Sequence, residues 1–188
     1  MATYSDVMID IETMGTNKDS VILAIAAVYF DPKTCALGDE FYTNVNMQSN
    51  LNAGREIDAS TLLWWMKQEK AAQEQVFSLN HTAPKLSESM KSFADFFKTD
   101  SHKVWGNGSV FDITILETAF KKCKQPLPWK FWNVRDVRTA VEIGQLLGFD
   151  PKKDMPFTGT RHNALDDSKH QAKYVSAIYK RILESGDF

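Results

Sequence analysis

The sequence predicts an α/β fold: one mixed five-stranded sheet, three antiparallel strands followed by two parallel ones, with helices on both faces. Three observations predict it. Residues 1–46 hold three strand-like segments separated by turns, the apolar period then changes from two to helical spacing, and the later half alternates strand with helix. The 188 residues suffice for one well-formed core, and no repeat, low-complexity tract or Gly/Ser-rich linker divides them, so a single domain over 1–188 is expected.

The elements follow in order. In VMIDIETMGT (7–16) the aliphatics Val7, Ile9 and Ile11 alternate with Met8, Asp10 and Glu12, which is strand period. SVILAIAAVYFD (20–31) is β-branched and aromatic, DPKTCALGD supplies turn residues, and EFYTNVN (40–46) alternates again, completing an antiparallel meander. Asp58 is placed to cap a helix over ASTLLWWMKQ; a second short helix covers KAAQEQVFSL, and a third (86–98) aligns Leu86, Met90, Phe93 and Phe97 on one stripe. KVWGNG (103–108) reads as a buried strand ending in a turn, residues 109–124 as a helix, FWNVRD as a strand, and 137–148 as a helix closed by Gly148. FDPKKDMPFTGTR (149–161) has no usable period and reads as a loop before the last helix, ALDDSKHQAKYVSAIYKRIL. This order of elements is that of the ribonuclease H-like fold.

Composition excludes several classes. The longest apolar run, VILAIAAVYF, is about half a membrane span, and MATYSD lacks the basic and apolar regions of a secretory leader, so a cytoplasmic protein with no membrane partner is expected. Cys35 and Cys123 form no CxxC pair, which argues against a zinc site or a disulfide scaffold. A net charge of −2 gives no sign of a polyanion partner, although a cluster of metal-binding acids would mask a locally basic groove.

The acids carry the chemistry. Asp10 and Glu12 share one face of the first strand, ~7 Å apart at ~3.3 Å per residue, and like charges in a half-buried setting call for a cation. Asp112 falls in the first turn of its helix, where the dipole favours a carboxylate. With Ala164 set at 0° and ~100° per residue, Val175, Tyr179 and Ile182 define the buried stripe of the last helix. Asp167 lies at about −60° on the edge of that stripe, and Asp166 at about 200°, facing solvent. His162 precedes this helix at the loop junction. Four acids from three elements plus one imidazole suit metal-assisted phosphodiester hydrolysis: oxygen ligands for Mg²⁺ or Mn²⁺, and a neutral ring to take a proton from water.

DIET, the aspartate of NGSVFD, and HNALDD, a form of HxAxxD, resemble in order the three exonuclease motifs of the DnaQ-like superfamily in its histidine-containing DEDDh branch. The resemblance extends through TLLWWMKQ, NVRDVRTAVEI and HNALDDSKHQAKYV, and is nearest to phage exodeoxyribonucleases of the DexA kind and to exoribonucleases related to RNase T and RNase AS. It implies a 3′-to-5′ exonuclease on single-stranded nucleic acid with a free 3′ end, releasing nucleoside 5′-monophosphates, with DNA favoured over RNA. It further implies two divalent ions, Mg²⁺ or Mn²⁺, held by Asp10, Glu12, Asp112 and Asp167, with Asp10 shared between them and His162 as general base. His162 would swing in on its loop when substrate and metal bind, and a homodimer is the assembly the resemblance suggests. Competing readings are a ribonuclease H-like endonuclease, which the placement of HxAxxD opposes, and a catalytically silent binding module.

Further substrate contacts are expected from Trp64 or Trp65, one in the core and one free to stack on a base, and from Thr13, Met14, Asn107 and Arg138. Structural alternatives stand beside them: Asn107 holding its turn, and Arg135 and Arg138 paired with Asp136 or Glu142. His81, His102 and His170 show no ligand spacing and are expected at the surface.

Overall fold

The computed structural model describes residues 4–186; residues 1–3, where the stretch read for a leader begins, and 187–188 lie outside them. Strands β1 (Asp6–Thr13), β2 (Ile22–Asp31), β3 (Ala36–Asn44), β4 (Lys103–Gly106) and β5 (Val134–Asp136) form one sheet in the order β3-β2-β1-β4-β5. β1, β2 and β3 run antiparallel and β1, β4 and β5 run parallel, which is the predicted mixed topology. The helices are α1 (Met47–Asn52), α2 (Ala59–Trp65), α3 (Lys70–Phe77), α4 (Leu86–Phe96), α5 (Ser109–Lys122), α6 (Val137–Leu146), α7 (Pro151–Asp154) and α8 (Ala164–Glu184).

Alternation in β1 sorts two cores. Val7, Ile9 and Ile11 join Met90 and Phe93 of α4, Leu116 and Phe120 of α5, and Trp129. Met8 faces the other way, with Phe30, Trp105, Val137 and Val141 of α6, and Val175 and Ile178 of α8. Asp10 and Glu12 share the Met8 side, so the centre of the sheet carries its acids toward α8. Their register partners on β2 are Ala26 and Ala24, whose single methyls add no bulk beside the carboxylates. Because β1 is the central strand, the acids are not an edge-strand device against aggregation.

Some predicted boundaries move. β2 begins at Ile22 rather than 20, and β3 spans Ala36–Asn44 rather than 40–46. The short α1 went unread; its buried Asn50 bonds both the N–H and the C=O of Ile22, completing the end of β2 as a strand would. The predicted loop at 149–161 contains α7, where Asp150 caps the Lys152 amide and Pro151 occupies the first helical position. His102 and His170 are buried rather than at the surface. Each is 8% exposed, the first against Tyr29 and the second between Phe157 and Tyr174, because flat rings with an apolar edge pack well on aromatics.

Candidate active site

Four carboxylates converge beside the C-terminal half of β1. Asp10 is the one half-buried residue of β1, while Glu12, 8% exposed, and Asp112, 3% exposed, are buried. Burial is the largest influence on all four and favours the protonated acid. Asp10 is pushed well up by burial and then by Asp112, Glu12 and Asp167; Glu12 is pushed up by burial, Asp167 and Asp112. Burial raises Asp112 to about 7 against an opposing backbone hydrogen bond from Ile11, and raises Asp167 to about 6 against one from His162. Acids so placed ionise together only with a cation among them.

The local fold holds each acid in place. Asp112 enters because Gly106, at the end of β4, has no side chain: a Cβ there would lie 3.1 Å from both the Cβ and Oδ2 of Asp112. At Gly108, φ is +104°, a conformation suited to glycine, and the Arg138 guanidinium lies 2.9 Å from where its Cβ would be. Asp136 ties this corner together, with Oδ2 accepting the Ser109 amide at 2.5 Å and Oδ1 the Arg138 amide at 2.7 Å. One carboxylate thus caps both α5 and α6.

His162 stands at the carboxylates. Ligand atoms of Glu12, His162 and Asp167 lie within 4.8 Å of one another, so in this structure the ring stands at the cluster. It packs edge-on against Trp64, with ring centroids 5.0 Å apart, and lies edge-on to Trp65 at 6.5 Å. Burial and Arg161 lower its pKa below the usual histidine range, with Glu69 opposing, so the ring is neutral near pH 7.

Asp167 lies inward, as its helical phase requires, but Asp166 does not face solvent. It is half-buried, and its Oδ2 accepts the Thr160 amide at 2.9 Å. The preceding Gly159 adopts φ +118° so close to it that a Cβ would meet Asp166 Oδ2 at 2.5 Å. The loop folds back over the start of α8 and supplies a partner that helical phase alone cannot show. Asn163 caps α8 through the Leu165 and Asp166 amides, and its own amide donates to Thr160 O.

The two tryptophans divide as adjacency predicts. Trp65 is 1% exposed and donates Nε1 to Thr13 O at 2.9 Å; Trp64 is 42% exposed. Thr13 and Trp64 line a cavity of about 420 Å³ with Glu12, Thr61 and Phe111. Met14 does not line it, being 1% exposed in a core with Val21, Leu23 and Trp65, just past the register shift between Glu12 and Thr13. Arg138 borders a neighbouring hollow with Thr16 and Phe111, and among the described residues neither it nor Arg135 forms an ion pair. Among the described residues, Asn107 Oδ1 is buried without a protein partner. Sequence reasoning missed Gly106, the capping role of Asp136, and Gln171, whose Nε2 donates to Asp10 Oδ1 at 2.8 Å. The signal for Gln171 was present: at seven residues past Ala164 it lies ~20° from that buried alanine, an unusual place for an amide.

Residues 5–179 match the family described as the 3′-5′ exoribonuclease Rv2179c-like domain. An exodeoxyribonuclease of Enterobacteria phage T4 is 24% identical over 163 residues, covering 73% of this chain and 70% of that one. Among solved structures, E. coli exonuclease I in complex with a dA16 oligonucleotide superposes with a TM-score of 0.69 at 12% identity, over 97% of this chain. The nuclease domain of 3′hExo, a DEDDh family member bound to rAMP, gives 0.59 at 18% identity, over 98% of this chain and 94% of that one. The chain spans 43% of the exonuclease I chain, and both likenesses establish the shared ribonuclease H-like fold.

Proposed function

We infer the reaction from a plain premise: the chain belongs to the Rv2179c-like 3′-5′ exoribonuclease domain family, and is a DnaQ-like nuclease. We propose that it removes nucleoside 5′-monophosphates from the 3′ end of single-stranded nucleic acid, with divalent ions held by Asp10, Glu12, Asp112 and Asp167. The observation that carries this reading is the convergence of four mutually destabilising carboxylates with a neutral imidazole at the end of a central strand. Their donor set, all oxygen with one ring nitrogen at the rim, fits Mg²⁺ or Mn²⁺ better than a thiolate-seeking metal. Two such ions would offset the charge of the four carboxylates, with Asp10, Glu12, Asp112 and Asp167 as the residues that would hold them.

When bound, the ions supply positive charge that offsets the carboxylates and polarises water and phosphodiester. The chain's own groups do the rest. His162, kept neutral by burial, accepts at a ring nitrogen the proton of the water that attacks phosphorus; the bond from phosphorus to the 3′ oxygen of the preceding nucleotide breaks, and that oxygen takes a proton from solvent to leave as the 3′-hydroxyl. Trp64 offers an exposed ring beside His162 on which the terminal base stacks, at the mouth of the Thr13 cavity. Arg138, held over Gly108 near Asp112 and in no ion pair among the described residues, can meet a phosphate, and Asn107 has an acceptor close by in the chain that no described residue uses.

The family's description names RNA and the phage relative's name DNA, so the expectation of DNA rests on the second alone. The test is cleavage of matched 5′-labelled DNA and RNA oligomers with Mg²⁺, Mn²⁺ or chelator, with Asp10→Ala as control. A ladder shortening from the 3′ end, lost with chelator and in the variant, supports the proposal, and the rate ratio assigns the sugar. No cleavage of either oligomer with both metals rejects it in favour of a binding module.

A further inference from the structure

We propose that Gln171 is the positioning residue of the cation site, its side-chain amide fixing the Asp10 carboxylate for a divalent ion. The inference rests on the reading above that these carboxylates hold such an ion. Gln171 lies on α8 one turn beyond Asp167, so both side chains reach the same edge of β1. It is 6% exposed. A buried amide is costly unless both its ends are bonded. Here Nε2 donates to Asp10 Oδ1 at 2.8 Å, and Oε1 has no protein partner among the described residues.

One role accounts for both ends. A carboxylate with one oxygen held by an N–H keeps its orientation, which leaves its second oxygen directed to a cation rather than rotating among its acidic neighbours. Oε1 can only accept a hydrogen bond, and a hydrated Mg²⁺ ion, which sheds its waters reluctantly, brings O–H donors into the site. Glutamine suits both tasks. Glutamate would add a fifth negative charge to the cluster, asparagine is a methylene too short, and methionine fills the volume with neither the donor nor the acceptor.

Mn²⁺ binding to the full chain, measured by electron paramagnetic resonance without nucleic acid, tests this. In Gln171→Met the affinity falls about 10- to 100-fold, while the metal-free melting temperature stays near that of the parent and excess Mn²⁺ restores most of the turnover. Unchanged Mn²⁺ affinity in the variant overturns the proposal, whatever its melting temperature, because a packing role alone would leave the ion untouched. If Gln171→Met does not fold, the parent protein carries the test: the Gln171 side-chain amide signal in nuclear magnetic resonance shifts during Mg²⁺ titration with the same midpoint as the Asp10 and Glu12 backbone amides. A Gln171 signal that does not move overturns it. Failure of the underlying cation reading is distinguishable, since the parent chain would then bind no Mn²⁺ at all.

Discussion

The carboxylate of Asp166 accepts the backbone N–H of Thr160 at 2.9 Å, which latches the loop that carries His162 to the helix that carries Asp167. Asp166→Ala is therefore not a silent change. Loss of this charge-assisted bond costs about 1–2 kcal/mol, and turnover falls roughly tenfold as His162 loses its fixed approach. Asp166→Asn, which keeps an acceptor, recovers most of both. Trypsin cleavage at Arg161 in the native protein reads the latch directly and accelerates in the alanine variant only.

His162 and the acids separate in a mutant series. Asp10→Ala and Asp167→Ala are expected to lose both turnover and Mn²⁺ binding, since each removes a proposed ligand. His162→Ala lowers turnover by about 10²- to 10⁴-fold and leaves Mn²⁺ affinity largely intact, because a base is lost rather than a ligand. Near-normal turnover in His162→Ala would reject its assignment as base.

The raised carboxylate pKa values make the metal-free protein sensitive to pH. Asp112, held up at about 7, and Asp167, at about 6, keep their protons in the folded state where the unfolded chain has lost them. Their stabilisation is full below roughly pH 4 and is lost as pH rises through the folded values. His162, with its pKa lowered, has the opposite sign: it favours the folded state as pH rises toward the unfolded histidine value. Asp112→Asn isolates the acid's share. Without metal the variant melts several degrees above the parent at about pH 8, and the gain disappears near pH 4. In the parent, the rise in melting temperature caused by excess Mn²⁺ grows over the same interval, because the ligands must be deprotonated to bind.

Gly106 and Gly108 are needed for different reasons. Gly106→Ala forces a methyl group to 3.1 Å from the Cβ and Oδ2 of Asp112, so its main effect is weaker Mn²⁺ binding and lower turnover. Gly108→Ala combines a φ of +104° with a 2.9 Å approach to Arg138, so its main effect is on stability, about 1–3 kcal/mol. Melting curves beside Mn²⁺ titrations distinguish the two.

Trp64 and Trp65 are adjacent but not equivalent. Trp65→Ala opens the core beneath α2 and costs about 3–5 kcal/mol. Trp64→Ala leaves the melting temperature nearly unchanged and raises KM for a single-stranded oligomer by roughly 5- to 150-fold, the worth of one base stack of about 1–3 kcal/mol. Unchanged KM in Trp64→Ala would remove the stacking role.

By itself the sequence determined the order and sense of the five strands, the two faces of β1, the inward phase of Asp167 and the division between the two tryptophans. The sense of the strands follows from their connections, turns between the first three and helical crossovers to the last two; the others are local periodicities of two or 3.6 residues, and such periods survive folding because burial selects them. Tertiary structure alone decided the partners. Gln171 meets Asp10 across 161 positions of chain, and Trp65 meets Thr13 across 52. No local period encodes such a pairing. For the same reason Asp166, solvent-facing by its phase on α8, became a latch when the loop folded back over it, and Met14, just past the register shift at the end of β1, lies in the core. Helical phase tells which side of an element a residue occupies; what waits on that side depends on how distant segments pack.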